Sequence, residues 1–352
     1  MYTRGLAELR GADADAFGGK SANLGELLAA ELPVPRGFAL SADAYRAFVE
    51  ETGLAGRIAS ALARAHPDDV DALTASSKAI DEAMRFAPLP EVVRTEVAER
   101  YRELAGGEAE LPVAVRSSAV GEDSADASFA GQQESFLWVR GAEHVCDAVR
   151  DCWASLFTPQ AISYRLALGS ADEPAMGVTV QAMVDAEVSG VLFTCNPVTG
   201  DPSMVAINAS WGLGLGVVGG ELTPDDYLVS KITGEVVRRT VSTKHVEYVP
   251  DPAGRGTIRR EVPTDRRDEP CLLDDELMVL VDVARRIERH YGSHQDVEWA
   301  FARSHVLPDA LRVVQARPVT TRPKAASTPA ASALSLVLGT FGGTAGDSEP
   351  RP

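Results

Sequence analysis

Two short runs near the C-terminal end, Gln295-Asp296-Val297-Glu298-Trp299-Ala300 and Val313-Val314-Gln315-Ala316-Arg317-Pro318, set carboxylate, carboxamide and guanidinium groups at alternate positions. A strand sends successive side chains to opposite faces, so Asp296, Glu298 and Ala300 share one face while Val297, Trp299 and Phe301 share the other. If the two runs pair across the loop containing Pro308-Asp309, two carboxylates, an amide and a guanidinium converge on one surface. Carboxylate and amide oxygens suit Mg²⁺, and an arginine fork suits phosphate. The same alternation also describes a surface hairpin with a solvated salt bridge, and by itself it does not separate the two.

Three other segments carry groups able to hold an anion. Gly18-Gly19-Lys20-Ser21 offers a glycine turn, a helix start with free N–H groups and a lysine. It is not a phosphate-binding P-loop, because Ala14 stands where the first glycine belongs and no apolar strand leads into it. An ordinary helix start accounts for it equally. Arg116-Ser117-Ser118 follows the apolar run Val113-Ala114-Val115 and is expected at the end of a strand, and Ser128-Phe129-Ala130-Gly131-Gln132 has the small residues that let backbone approach phosphates. A structural turn explains either segment in isolation. Gly212-Leu213-Gly214-Leu215-Gly216 lacks the spacing and the strand–helix context of a dinucleotide fingerprint.

The elements that must position these groups change character along the chain. Leu24, Leu27 and Leu28 recur at helical spacing over residues 20–30, and a second helix is expected after Ser41, burying Tyr45, Phe48 and Val49 before Gly53. Val70, Leu73, Ile80 and Met84, then Val93, Val97, Tyr101 and Leu104, extend a largely helical first hundred residues. Residues 121–133 read as a mobile loop, followed by a helix with Val145, Val149, Trp153, Leu156 and Phe157. From Met176 the period falls to two. Strands are expected at 176–184, 190–194, 204–208, 227–231 and 235–243, the last two joined by a turn at Thr233-Gly234. A helix with Leu277, Leu280, Val281, Ala284 and Ile287 leads into the C-terminal strand pair, and beyond residue 321 the composition is that of a linker or tail.

With 352 residues the chain can bury a large core, and its net charge of −17 sets it against nucleic acid and anionic membrane. A polyanionic ligand would have to be held by local cations against that field. The four cysteines show no metal-ligand or Cys-x-x-Cys spacing, which points to buried free thiols in a reducing compartment. No apolar leader opens the chain and the most apolar stretch is broken by Gln181, Asp185 and Glu187, so a cytoplasmic location is expected.

Taken in order, Gly18-Gly19-Lys20-Ser21-Ala22-Asn23-Leu24-Gly25, Val34-Pro35-Arg36-Gly37-Phe38, Arg116-Ser117-Ser118, Ser128-Phe129-Ala130-Gly131-Gln132, Gly190-Val191-Leu192-Phe193-Thr194 with Asn196-Pro197, and the two C-terminal runs resemble a known family. It is that of the N-terminal nucleotide-binding domain of phosphoenolpyruvate synthase, pyruvate phosphate dikinase and rifampin phosphotransferase. The likeness covers roughly residues 1–320. It implies an α+β, ATP-grasp fold in which two lobes with antiparallel sheets enclose the nucleotide: 1–110 as a mainly helical lobe, 111–320 as the mixed remainder and 321–352 as a flexible tail. It further implies that Lys20, Arg116 and Arg317 hold phosphates of ATP, that Glu298 and Gln315 hold Mg²⁺, and that Asp296 supports the ribose or the metal shell. Gln181 and Met183 match the segment that cradles adenine, and Gly131 with Ser135 the loop that closes over the phosphates.

Two departures qualify the resemblance. Leu215 stands where the family carries glutamate, and no histidine accompanies Gly342-Gly343-Thr344, although full-length members carry a phosphate-accepting histidine next to such glycines. His66, His144, His245, His290, His294 and His305 all fall within the nucleotide domain. The resemblance therefore implies a phosphotransferase subunit that cleaves Mg-ATP and passes a phosphoryl group, the β one, to a histidine on a separate partner protein. A direct kinase of a small molecule and a non-catalytic ATP-binding regulator are the alternatives. Neither nucleic acid nor membrane is expected as a partner.

Overall fold

The computed structural model describes residues 1–108, 110–120, 134–168, 174–254, 256–303 and 306–319. Two antiparallel sheets organise it. The first takes β1 (Thr3–Gly5), β2 (Gly37–Leu40), β3 (Val113–Ala119), β4 (Ser135–Val139) and β5 (Met176–Ala182) in the order β1-β2-β5-β3-β4. The second takes β6 (Ala186–Phe193), β7 (Met204–Trp211), β8 (Asp225–Ser230) and β9 (Val236–Thr240), with a hairpin of β10 (Val246–Pro250) and β11 (Thr257–Glu261) set apart, and closes with β12 (Gln295–Ala302) and β13 (Leu311–Pro318). Its order is β13-β12-β6-β7-β8-β9, again antiparallel throughout. The architecture is α+β, as expected.

Helices flank the sheets: α1 (Ala14–Phe17), α2 (Gly19–Ala29), α3 (Ala42–Glu51), α4 (Leu54–Leu62), α5 (Val70–Phe86), α6 (Glu91–Ala105), α7 (Ala142–Ala154), α8 (Pro159–Leu168), the short α9 (Leu215–Val218) and α10 (Asp274–Tyr291). On the first sheet, Val113, Val115, Val178 and Val180 share a core with Phe48, Ile80, Met84, Val97 and Trp153 of the helices. Phe48 stacks on Trp153 with ring centroids 5.2 Å apart, and burying side chains of this size contributes about 1.5–3 kcal/mol each. Behind the second sheet, α10 presents Leu277, Leu280, Val281, Ala284 and Ile287 to Val297, Trp299 and Val313. Its first turn is acidic, its last turn carries Arg289 and His290, and left-handed Gly292 ends it, all in the sense that favours a helix dipole and stop.

α2 is the element that belongs to both layers. Leu24 and Leu27 enter the core of the second sheet, while Ser21 Oγ lies 2.7 Å from Thr179 Oγ1 on β5 and 3.3 Å from Ser118 Oγ on β3. Its start is fixed by Gly18, at φ +81°, where a Cβ would sit 2.0 Å from the Ser118 carbonyl oxygen.

Several boundaries differ from the sequence reading. β3 runs on through Arg116, Ser117 and Ser118, because these residues pair with Thr179, Val178 and Gly177 of β5 and Ser117 also donates its N–H to Glu134 O. The run after Ala182 leaves the sheet before Val184. The short strands β1, β2 and β4 and the β10–β11 hairpin were not expected. β1 and β2 precede residue 110 and pair into a sheet completed by strands that follow it. The expected loop at 121–133 and the segment 321–352 lie outside the described residues. All four cysteines are free and buried. Among the described residues, no helix is long and apolar enough to cross a membrane.

Candidate functional site

The C-terminal strands pair as their alternation suggested. Asp296 lies opposite Arg317, and Glu298 opposite Gln315. Beyond that point the register shifts, Trp299 meeting Val313, so Val314 is an extra residue on β13. This bulge reconciles two demands that a regular strand could not meet. Leu311 and Val313 share parity with Gln315 and Arg317 in the sequence, yet the first two lie in the core with Val297 and Trp299. The added residue resets the parity, so the polar pair can stand on the face opposite that core.

The bulge also frees a carbonyl. Arg116, reaching across from β3 in the first sheet, donates one guanidinium N–H to Val314 O at 3.0 Å and another to Glu298 Oε2 at 2.8 Å. Both members of this ion pair are mostly buried, with side-chain exposures of 13% and 18%. The Arg116 Nε has no hydrogen-bond partner among the described residues. Arg317 makes the second pair, holding Asp296 Oδ2 at 2.9 Å through Nε and a terminal nitrogen, and is itself half exposed. Lys20, in the first turn of α2, donates to Ser117 O at 3.1 Å.

These charges divide the two carboxylates. Burial works to raise the Glu298 carboxyl, but Arg116, joined by Arg317 and Lys20, outweighs it and holds the group below the ordinary glutamate value. At Asp296 burial prevails over Arg317, and the neighbouring Glu298 charge adds to it, so that carboxyl lies above the ordinary aspartate value. Lys20, Arg116 and Arg317, from α2, β3 and β13, thus all favour the Glu298 carboxylate, Arg116 by direct pairing while Lys20 bonds Ser117 O and Arg317 bonds Asp296.

Beside this cluster is a cavity of about 140 Å³ between the sheets. Arg116 and Glu298 line it together with Ser135, Gln181 and Met183, so five of the residues singled out in sequence share one hollow. Gln181 is buried and donates its amide to Pro35 O at 3.3 Å, which fixes its side chain across the layer. Leu213, Leu215 and Val218 form an apolar wall, and the glycine segment therefore borders the cavity although it is no dinucleotide fingerprint. Gly212, at φ +75°, brings that wall against the β10 backbone, where a Cβ would lie 2.4 Å from Tyr248 O. Gly131 falls outside the described residues. His294 approaches Glu288 at 2.7 Å, but not along a hydrogen-bonding direction.

Sequence reasoning missed Val314, the β10–β11 hairpin and Ser189, which lines the cavity and donates its hydroxyl to Gly212 O at 2.6 Å. A bulge leaves no mark in one strand read alone, and Ser189 looks like any small residue of a buried strand. The residues present fit a hard cation: Gln315 Oε1 is buried without a partner among the described residues, and it lies opposite an ionised Glu298. No group of three or more His, Cys, Asp or Glu able to hold a metal occurs among the described residues. Mg²⁺ takes one or two protein ligands and completes its shell with phosphate and water, a demand that the Glu298 and Gln315 oxygens meet.

A family model described as the pyruvate phosphate dikinase AMP/ATP-binding domain matches residues 14–336. Among similar curated proteins, a probable phosphoenolpyruvate synthase of Methanocaldococcus jannaschii is 44% identical over 322 residues, covering 91% of this chain and 27% of the relative. A probable phosphoenolpyruvate synthase of Staphylothermus marinus is 43% identical, covering 89% of this chain and 40% of its own length. The phosphoenolpyruvate synthase of Pyrococcus furiosus is 37% identical, with 91% and 44% covered. The chain spans less than half the length of these relatives. A solved structure of a Pyrococcus horikoshii protein covers 80% of this chain and 99% of its own at 15% identity and a TM-score of 0.32, too slight a likeness to bear on the fold. The chain belongs to the pyruvate phosphate dikinase AMP/ATP-binding domain family.

Proposed function

We propose that this chain binds Mg-ATP between its two sheets in the manner of an ATP-grasp unit and donates a phosphoryl group to a histidine borne by a separate domain or protein. The observation that carries the reading is the Arg116–Glu298 pair, which joins the two sheets at 2.8 Å beside the cavity. Phosphoryl transfer depends on positioned cations more than on covalent chemistry from the protein, and the charges of Arg116, Arg317 and Lys20, from three distant segments, all act on Glu298.

In this reading Gln181 and Met183 bound the adenine, Lys20, Arg116 and Arg317 hold the phosphates, and Glu298 with Gln315 hold Mg²⁺, Asp296 supporting them. Ser135 and Gly131 belong to the loop over the phosphates. Bound Mg²⁺ would neutralise charge on the transferring phosphoryl oxygens. Arg116 and Arg317 are already oriented by carboxylates, so a polyphosphate would meet preset guanidinium groups. The partner's imidazole nitrogen would attack the β-phosphorus and break the α–β bond, releasing AMP, and water would then cleave the β–γ bond, freeing the terminal group as phosphate and leaving the β-phosphoryl on the histidine. Relatives named phosphoenolpyruvate synthase support this class of phosphotransfer.

The test is to incubate the protein with Mg-ATP alone and with a candidate histidine-domain protein, following AMP, ADP and protein-bound phosphate. AMP and phosphohistidine that appear only with the partner are expected. ADP formed with a small acceptor would replace this reading by a direct kinase. Tight ATP binding without product in any mixture would favour a regulator, for which Leu215 on the cavity wall in place of an acid is the supporting observation.

A further inference from the structure

Trp138 is a bulky residue in a conformation that bulky residues avoid. Its φ is +60°, in the left-handed region where a Cβ is penalised. The cause is local register. On β3 and β4, Val113 pairs with Val139 and Val115 with Phe136, so Leu137 and Trp138 together oppose Ala114. Only one residue can be accommodated in the regular ladder, and the turn falls on the tryptophan. The residue is 94% buried, and its Nε1 has no hydrogen-bond partner among the described residues. Strain and an unpaired donor at one residue persist only where the surroundings hold it in place.

What holds it is a junction of β6, β10, β12 and β13 with the segments that follow β5 and β7. The ring is buried with Val184, Ala186, Leu213 and Ala300, and Met183, Tyr248 and Val314 pack on that group. Met183, Val184, Leu213, Ala300 and Val314 also line the cavity, whereas Trp138 does not. The Trp138 carbonyl accepts the Gly256 N–H at 3.3 Å, between β10 and β11, and Tyr248 O of the same hairpin accepts the Leu213 N–H at 2.8 Å. The hairpin thus ties the edge of the first sheet to the glycine segment of the second.

We propose that Trp138 is a positioning residue for the nucleotide base: its ring sets the spacing of the two sheets at the end of the cavity bounded by Met183 and Leu213. This rests on the nucleotide reading of the cavity, but it concerns the base end alone. The phosphate end is held by charged side chains outside this apolar group, those of Arg116, Glu298, Arg317 and Lys20. Binding of a nucleotide and of inorganic polyphosphate should therefore respond differently to changes at this position.

The experiment compares the wild type with Trp138→Asn and Trp138→Phe. Asparagine tolerates the left-handed backbone and preserves the carbonyl bond to Gly256 while removing the ring, and phenylalanine retains an aromatic filler. Calorimetric titration with Mg-ATP and with Mg-tripolyphosphate should show W138N losing at least about tenfold in ATP affinity, with tripolyphosphate affinity within about twofold of wild type, and W138F recovering most of the ATP affinity. Equal loss for both ligands, or unchanged ATP affinity in W138N, would overturn the proposal. Wild-type protein that binds tripolyphosphate but not ATP would overturn it as well, and wild type that binds neither would instead remove the nucleotide site itself.

Discussion

At Glu298 two opposing effects meet, and the cations win. Its ionised form is favoured by Arg116, and removing the charge by Glu298→Gln leaves a mostly buried guanidinium without its anion. The expected loss is on the order of 2 kcal/mol, seen as a lower chemical-denaturation midpoint, together with loss of turnover. Because the folded carboxyl lies below its ordinary value of 4.5, its stabilisation is fully present above that value and is lost as pH falls through the depressed one. The stability difference between wild type and Glu298→Gln should therefore narrow in acid below about pH 4.5 and stay constant near neutrality. Arg317 makes a contrast. It is half exposed, so Arg317→Ala should cost less than about 1 kcal/mol of stability while abolishing phosphoryl transfer; unchanged transfer would remove it from the site.

Among the elements, β13 carries the most consequence for its length. Its bulge at Val314 lets Gln315 and Arg317 face the site while Leu311 and Val313 stay in the core. Deleting Val314 forces one pair or the other onto the wrong face. We expect a loss of more than about 2 kcal/mol, as for removing a buried leucine, and a drop in Mg-ATP affinity measured on whatever protein remains folded. The alternation of Asp296 and Glu298 against Val297, Trp299 and Phe301 was legible in the sequence because a half-buried strand obeys period two. The bulge was not, since it exists only relative to β12. Likewise Ser117 and Ser118 looked free for a ligand, but Ser118 meets Ser21 of α2 and the Ser117 hydroxyl donates to Glu134 O, contacts between residues remote in the chain. β1, β2 and β4 were too short to show a period, and nothing about Trp138 in its run signals a left-handed residue. Resemblance joined Lys20 and Arg116 to the C-terminal strands; spacing alone could not have done so.

For the molecule as a whole, a chain of net charge −17 sets an arginine of the first sheet, Arg116, against Glu298 of the second where the two sheets meet. A ligand bound there holds both sheets together and should stabilise both at once. At a free concentration one hundred times its Kd, Mg-ATP should add about 2.7 kcal/mol, shifting the unfolding of the whole unit as one transition rather than one sheet before the other. On the proposed reading, neither sheet binds the nucleotide alone. This is tested most directly by calorimetric titration of Mg-ATP into wild type, Arg116→Ala from the first sheet and Glu298→Gln from the second. One Mg²⁺-dependent site per chain, weakened at least about tenfold by either substitution, is the result predicted; full ATP affinity in either variant would contradict it.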